Sequence, residues 1–493
     1  MKKPTREKGL WYNTPLKSAN REDIIYLWRN HGEQTNWTEE ELEIVWLLVL
    51  QRRVIVINTE GSNCMTTIGK GSLTQPLTIG DVEQLLAEAC AHLPADGKRV
   101  LVLIPDGTRT APIPLFFRLL YEQLGQRVAQ LDYLIALGTH PPMAEAAIDA
   151  LVGVSASERA EHYPKVQIFN HQWSHPEMLQ TIGVISRQEA DRLTDGLLAD
   201  NVPVTLNRLI SAYDQLIICG PVFPHEVVGF SGGAKYLFPG IAGSDIINFT
   251  HWLGALVTSM QTIGFKDTPV RRIIHRAAEF VKTPLLCIAL VLKGHELYGL
   301  SIGDYIDAWS QAAALSKDLN IITVQKPFQR VLSIPSTIYD DLWTAAKAMY
   351  KTEPAIADGG EVIIYAPHIT EISYTHGKLI DQVGYHVRDY FLKQWERFKD
   401  IPGSILAHST HVKGVGTYDP ASGIETPRIQ VTLATRIPAE RCRQVNLGYA
   451  DYRDIDPQEW EGREQEGILL VPLAGEVLYR APELSPFTAF SPM

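Results

Sequence analysis

Between Val100 and Ile104 five consecutive apolar residues stop abruptly at Pro105-Asp106. An unbroken apolar run of that length predicts a strand covered on both faces, the situation of a parallel sheet. The pattern recurs along the chain. A helix is predicted over Leu115–Leu124, and a second strand over Tyr133–Leu137, closed by Gly138-Thr139-His140. Thr139-His140-Pro141-Pro142 is expected to open a helix through Leu151, with further strands at Val166–Phe169 and Gln215–Cys219. Strand, polar loop and helix in succession predict a doubly wound, Rossmann-like α/β domain, whose ligands sit beyond the C-terminal ends of its strands.

A second α/β set is expected from Leu285, with strands at Leu285–Val291, Arg330–Ile334, Val362–Tyr365 and Ile405–Ala407. Helices are predicted near Tyr305–Leu315, Asp341–Tyr350 and Tyr385–Phe398, and two last strands at Gly467–Val471 and Val477–Tyr479. A chain of 493 residues exceeds one ordinary core. We therefore expect an N-terminal extension (1–75), a cofactor-binding α/β domain (76–275), a second α/β domain (276–430), and a C-terminal segment (431–493) that rejoins the first domain. The expected fold is two α/β domains with an interdomain active-site cleft. In the extension, Thr38 is placed to cap an amphipathic run through Leu50, followed by a strand at Val54–Ile57.

The net charge of −11 argues against non-specific nucleic-acid binding, which needs a basic face. Five cysteines far apart, with no CxxC pair, suit a reducing compartment. No apolar run reaches the roughly 18 residues that span a bilayer, so a membrane partner is not expected and a cytoplasmic location is.

Four loops hold polar groups with no evident packing role. Asp106-Gly107-Thr108-Arg109 combines a tight turn with a planar guanidinium suited to a carboxylate or phosphate, although an Asp-Gly turn beside a surface arginine is the plainer reading. His140 ends the next strand, and a lone loop histidine is more often structural than catalytic. The third loop is the informative one: His225-Glu226-Val227-Val228-Gly229-Phe230-Ser231-Gly232-Gly233-Ala234-Lys235, then Phe238-Pro239-Gly240. Its glycines let backbone approach an anion or flat cofactor, with Lys235 at the end. It matches neither a Walker A loop nor GxGxxG. Fourth, His251 lies on a helix that Ser244 is expected to cap; imidazole is a good ligand for nickel, copper or zinc. His171 and His175, spaced i, i+4, lack a third ligand or acidic partner and are taken as structural.

Together these residues resemble the nickel-dependent lactate racemase family. The matching pieces are DGTR at Asp106–Arg109, GTH at Gly138–His140, and the stretch from His225 through Lys235 and Pro239-Gly240 to His251. The segment Asp340–Lys347 is a fourth. The resemblance implies a nickel-pincer nucleotide, pyridinium-3,5-bisthiocarboxylic acid mononucleotide carrying nickel. It implies that Lys235 holds this cofactor, with Asp106, Ser231, Gly232 and Gly233 beside it, and that His251 completes the nickel coordination. His140 and His225 would be the paired acid/base groups, and Arg109 and Lys347 would grip a substrate carboxylate. The expected partners are a small-molecule 2-hydroxy acid and the proteins that synthesise the cofactor.

The residue types suit inversion at C2. Deprotonating that carbon would set a carbanion beside a carboxylate, whereas removing its hydrogen as hydride needs an electron-poor acceptor that side chains lack. Each enantiomer then requires a proton acceptor for its hydroxyl, and two histidines supply the pair. Thr344 stands where lactate racemases commonly carry a glutamine, leaving space, and His368 with His376 adds polar groups on the second domain. Both favour a longer hydroxylated acid, an aldonate such as gluconate, over lactate itself. The alternatives are lactate racemisation proper, a zinc-dependent hydrolase using His140, His225 and His251, and a cofactor-free binding protein on the same scaffold. The intact histidines and Lys235 argue against the last.

Overall fold

The computed structural model describes residues 66–482. The helix expected through Leu50 and the strand at Val54–Ile57 lie outside the described residues. From Gly69 onward the described residues form one compact unit, which holds both sheets, apart from Ile68 at the start of an edge strand, and the site.

Its architecture is mixed α/β. The larger sheet has seven strands in the order Ile68–Gly71, Glu296–Gly303, Leu285–Lys293, Gln215–Pro221, Arg99–Ile104, Gln130–Ile135, Ile168–Asn170. Every pairing from Leu285–Lys293 onward in that order is parallel. The apolar run at Val100–Ile104 is buried throughout, as its composition requires. From Arg99–Ile104 the chain steps outward to Gln130–Ile135 and Ile168–Asn170, then returns to the other side at Gln215–Pro221. That reversal opens a crevice beyond the strand ends, flanked by the loops that follow Ile104 and Pro221.

The smaller sheet is parallel throughout and has five strands: Gly448–Tyr449, Gln430–Thr435, Ile356–Ala366, Phe328–Pro335, Ile468–Ala474. The C-terminal strand Ile468–Ala474 joins this sheet and not the first, against expectation, while Leu478–Arg480 pairs with Ile321–Thr323.

Several expectations need correcting. Leu285–Lys293 does not begin the second sheet; it extends the first by pairing with Gln215–Pro221. Ile405–Ala407 is not a strand but part of the helix Gly403–Lys413, whose residues from Ser404 to Lys413 are all buried. The helix expected from Thr139 starts only at Glu145, because consecutive prolines at 141 and 142 disfavour helical backbone before them. Asp341–Tyr350 breaks into two short turns, Leu342–Ala345 and Lys347–Tyr350. Tyr385–Phe398 likewise separates into Arg388–Leu392 and Trp395–Phe398.

Each sheet has its own apolar core, and one helix serves both. Ser244–Val257 gives Ile246, Ile247, Phe249 and Leu253 to the first core, and Trp252, Ala255 and Leu256 to the second. A residue midway along this helix is thereby fixed against both layers. His251 is that residue.

Candidate active site

Asp106 follows the strand Arg99–Ile104 and is buried. Its Oδ1 accepts from the Thr108 amide (3.2 Å) and hydroxyl (2.7 Å), while Oδ2 lies 2.5 Å from Nδ1 of His140. Burial works to raise this carboxyl, but His140, Arg109 and Thr108 outweigh it and hold the group well below the usual carboxylate range. Asp106 is therefore ionised and fixes the His140 proton on Nδ1, which leaves Nε2 as the basic atom of the ring.

Arg109 donates from one guanidinium nitrogen to the carbonyl and hydroxyl of Thr108. Among the described residues it has no carboxylate at ion-pair distance, so its charge is available to an anion.

His225 is set the other way. The short strand Pro224–His225 pairs antiparallel with Gly229–Phe230, and the amide of Val227 donates to Nδ1 of His225 at 3.2 Å. The neutral ring then carries its proton on Nε2. Burial, reinforced by Lys235, Arg109, Lys351 and Lys347, holds His225 well below the ordinary histidine range. The Glu226 carboxylate, 3.4 Å from the same Nδ1, becomes an ion-pair partner only when the ring takes a second proton.

The glycine-rich loop is braced from behind. Gly232 has φ +79°, and a Cβ there would meet Val222 at 2.6 Å; at Gly233 it would meet Trp309 at 2.9 Å. Trp309 donates its indole N–H to the Ser231 carbonyl (2.9 Å), while the buried Arg271 donates to the carbonyls of Phe230 and Gly232 and stacks over Trp309. The Ser231 hydroxyl is committed within the loop, donating to Pro221 O and accepting from the Phe223 amide. Lys235 lies in the turn Gly233–Tyr236, and burial, with Arg109 adding to it, pushes its amine down to about 7.

On the bridging helix, His251 donates Nδ1–H to Ile247 O at 2.7 Å, leaving an Nε2 lone pair. Burial pushes this imidazole down to about 4. The helix is capped by Gly243 without a side-chain bond, so Ser244 does not cap it.

The smaller sheet contributes through the turns after Pro335. Asp341 caps Leu342–Ala345 and accepts from the Thr344 hydroxyl at 2.9 Å. Lys347 donates to Thr344 O, sits 4.2 Å from the centre of the Tyr339 ring, and is held well below the usual lysine range by burial and then Arg109.

One cavity of about 150 Å³ brings these groups together: Asp106, Arg109, His140, His225, Ser231, Gly232, Lys235, His251, Thr344 and Lys347 all line it. Two sequence-predicted residues do not. Gly233 packs behind the loop against Trp309, and His368 is exposed, with its ring at 3.0 Å from the Tyr339 carbonyl. The expectation of His368 as a substrate contact is corrected accordingly.

Sequence reasoning missed Trp343, Tyr350, His408 and His411, which also line the cavity. His408 stacks on Trp343 with 4.0 Å between ring centres. The two histidines stand three apart on Gly403–Lys413, a spacing that marks one helix face and that the mistaken strand assignment concealed. Lys351, one helical turn after Lys347, is buried and pushed down to about 7 by burial.

Among the described residues no group of three or more His, Cys, Asp or Glu side chains is placed to hold a metal. A zinc hydrolase built on His140, His225 and His251 therefore finds no protein-made centre there. A single neutral imidazole with its lone pair aimed outward, beside a lysine amine that is half deprotonated near neutral pH, fits a different arrangement. Such a pair suits a metal-bearing group that brings most of its own donors.

A parallel-rich α/β fold with two histidines and several cations gathered in one cavity marks a candidate active site. Residues 82–264 match the lactate racemase N-terminal domain. The chain is 24% identical over 278 residues to the lactate racemase of Thermoanaerobacterium thermosaccharolyticum, covering 55% of this chain and 61% of that one. It is 22% identical over 301 residues to the lactate racemase of Lactiplantibacillus plantarum, covering 60% and 64% respectively. The chain thus spans less than two thirds of the length of these curated relatives. A crystal structure of a Thermotoga maritima protein superposes with TM-score 0.77 at 31% identity, over 83% of this chain and 99% of that one. The lactate racemase apoprotein of T. thermosaccharolyticum superposes with TM-score 0.59 at 19% identity, over 86% and 96%, a likeness of fold. Residues 82–264 thus match a lactate racemase domain, and the chain is similar to lactate racemases.

Proposed function

We propose that the protein is a racemase or epimerase, an isomerase that inverts C2 of a small 2-hydroxy acid. The observation that carries this reading is the complementary pair of histidines in one cavity. His140 offers a basic Nε2 set by Asp106, and His225 offers an Nε2–H set by Val227. One ring, in its neutral form, would take the hydroxyl proton when a bound hydride acceptor takes the C2 hydrogen, and the other, in its imidazolium form, which Glu226 would support at His225, would return a proton to that oxygen when the hydride comes back. With the opposite enantiomer the roles exchange. Arg109 and Lys347 hold the carboxylate, so the keto acid is retained between the two events.

The cavity residues fit the nickel-pincer nucleotide. Lys235 would hold it and His251 would supply one nickel ligand through Nε2, with the Gly232 backbone alongside. When bound, such a group supplies an electron-poor acceptor for the C2 hydrogen, chemistry that no side chain offers. Loading would depend on dedicated cofactor-synthesis proteins, and a cytoplasmic location accords with that dependence. Among the described residues no helix is long and apolar enough to cross a membrane. The two sheets act as two α/β lobes, the first Rossmann-like, with the cleft between them as the site.

The substrate in this reading is a hydroxylated acid longer than lactate, an aldonate such as gluconate. The short Thr344, its hydroxyl drawn to Asp341, leaves room on the side of the cavity facing the second sheet. The test is a screen of hydroxy and sugar acids with cofactor-loaded protein, following loss of optical purity and retention of deuterium at C2. Turnover abolished in both His140→Ala and His225→Ala is expected. Full activity in either variant removes the two-histidine assignment.

A further inference from the structure

Two lysines line the site cavity, and a third, Lys351, lies one turn beyond Lys347. Two of the three amines are committed. Lys347 donates to the Thr344 carbonyl at 3.3 Å and sits over the Tyr339 ring, and Lys351 donates to the Glu476 carbonyl at 2.8 Å. Lys235 is different. Its backbone is fixed, since the Gly240 amide donates to the Lys235 carbonyl at 3.0 Å. Its Nζ faces the cavity with no hydrogen-bond acceptor and no carboxylate at ion-pair distance among the described residues. Burial, with Arg109 adding to it, pushes that amine down to about 7, so a good share of it is unprotonated near neutral pH. An unprotonated amine without a partner, held in a cavity, is a nucleophile for a carbonyl carbon.

The rest of the wall selects the carbonyl compound. Arg109 and Lys347 present cations to a carboxylate, and His140 presents a basic Nε2 whose tautomer Asp106 sets. A carboxylate grip, a free amine and a proton carrier are together what imine formation with a 2-keto acid requires. The Nζ lone pair bonds to C2 of the keto acid while the carbonyl π pair moves onto oxygen. Both amine hydrogens then pass to that oxygen by way of His140 Nε2, which ends neutral as it began. The oxygen leaves as water when the C=N bond closes. A 2-hydroxy acid has no carbonyl at C2 and escapes this reaction; a simple ketone has nothing for Arg109 to hold.

We propose that the cofactor-free protein binds 2-keto acids covalently, as an imine on Lys235, with Arg109 and Lys347 holding the carboxylate. The inference goes beyond the racemase reading: it shares the carboxylate grip but makes no use of inversion at C2. One amine cannot hold two partners, so a keto acid bound at Lys235 excludes the nucleotide that the same lysine would otherwise hold.

The test is borohydride reduction of the full-length protein, produced without cofactor-synthesis proteins, in the presence of pyruvate near neutral pH, followed by intact-mass measurement and peptide mapping. Borohydride delivers hydride to the imine carbon and solvent supplies a proton to nitrogen. The expected product is a single secondary amine per chain, at Lys235, heavier by pyruvic acid less one oxygen. Lys235→Arg is expected to lose the adduct, and Arg109→Met to reduce it by about tenfold or more, the size of one hydrogen-bonded charge contact. Mapping of the unaltered protein locates the lysine should either variant fail to fold. No adduct, an adduct scattered over surface lysines or surviving in Lys235→Arg, or equal labelling by butan-2-one, which has no carboxylate, overturns the inference and leaves the racemase reading standing. An adduct at Lys235 in a protein that, once loaded, inverts no hydroxy acid supports the inference and removes that reading.

Discussion

At the scale of single residues, the site is a set of ionisable groups moved off their ordinary values by burial and by one another. Asp106 is ionised and orients His140, so Asp106→Asn exchanges an acceptor for an amide and releases the Nδ1 tautomer. Turnover is expected to fall by roughly 100-fold or more, with little change in substrate affinity, measured as a split between kcat and KM. Lys235 gives a pH prediction. Its amine titrates near 7 in the folded protein against 10.5 ordinarily. Folding therefore costs most below pH 7, where the unfolded lysine holds its proton and the folded one resists it, and the cost disappears as pH rises towards 10.5. Lys235→Met is accordingly expected to stabilise the protein at pH 6 by on the order of 1–3 kcal/mol, narrowing by pH 10. Thermal unfolding of both proteins across that range checks the sign; a constant difference contradicts the account. The residue types themselves were legible before folding, because loops after apolar strands have few reasons to carry Asp, Arg, His and Lys. The protonation roles were not, since Val227 and Thr108 reach their partners only in three dimensions.

Among the elements, the glycine-rich loop shows why a short motif holds its shape. Gly232 and Gly233 bring the backbone against Val222 and Trp309, and the indole N–H of Trp309 then satisfies Ser231 O. Trp309→Phe keeps most of the packing and leaves that buried carbonyl unpaired, at a cost of about 1–3 kcal/mol. Gly232→Ala adds a Cβ where φ is +79° and Val222 stands 2.6 Å away, so loss of both stability and cofactor retention is expected. Denaturant midpoints with unchanged slopes measure the first, and nickel content after purification the second. The strands Arg99–Ile104 and Gln215–Pro221 were readable because unbroken apolar runs ending in Pro, Gly or Asp have few alternatives. Gly403–Lys413 was not, for a related reason: a helix buried on every side has no polar stripe, and its short apolar stretch has the look of a strand.

Across the whole molecule, the helix Ser244–Val257 ties the two cores together. Its closest neighbour is Gly403–Lys413, where a Cβ on Gly403 would come within 2.5 Å of Asn248 O and 3.0 Å of the Trp252 side chain. The amide of Ser404 donates to the Asn248 side chain at 3.1 Å, locking the register. His251 from one helix and His408 and His411 from the other are carried into the cavity by this contact. Gly403→Val is expected to separate the helices, lowering stability by about 1–3 kcal/mol as overpacked sites do. Affinity for the acid should fall with it although the position touches no ligand. An unchanged dissociation constant in a destabilised variant would show that the cavity does not depend on that spacing.

The amino-acid sequence on its own determined the parallel α/β character, the strand ends from which the chemistry hangs, and the identity of most groups in the cavity. All of these follow from local pattern: apolar runs, turn residues, and polar side chains where packing does not call for them. Only the tertiary structure decided that Leu285–Lys293 joins the first sheet, that His408 and His411 enter the site, and that His368 stays outside. Parallel pairing and helix-to-helix contact join residues distant along the chain, and their free energy comes from burial that no local stretch can report.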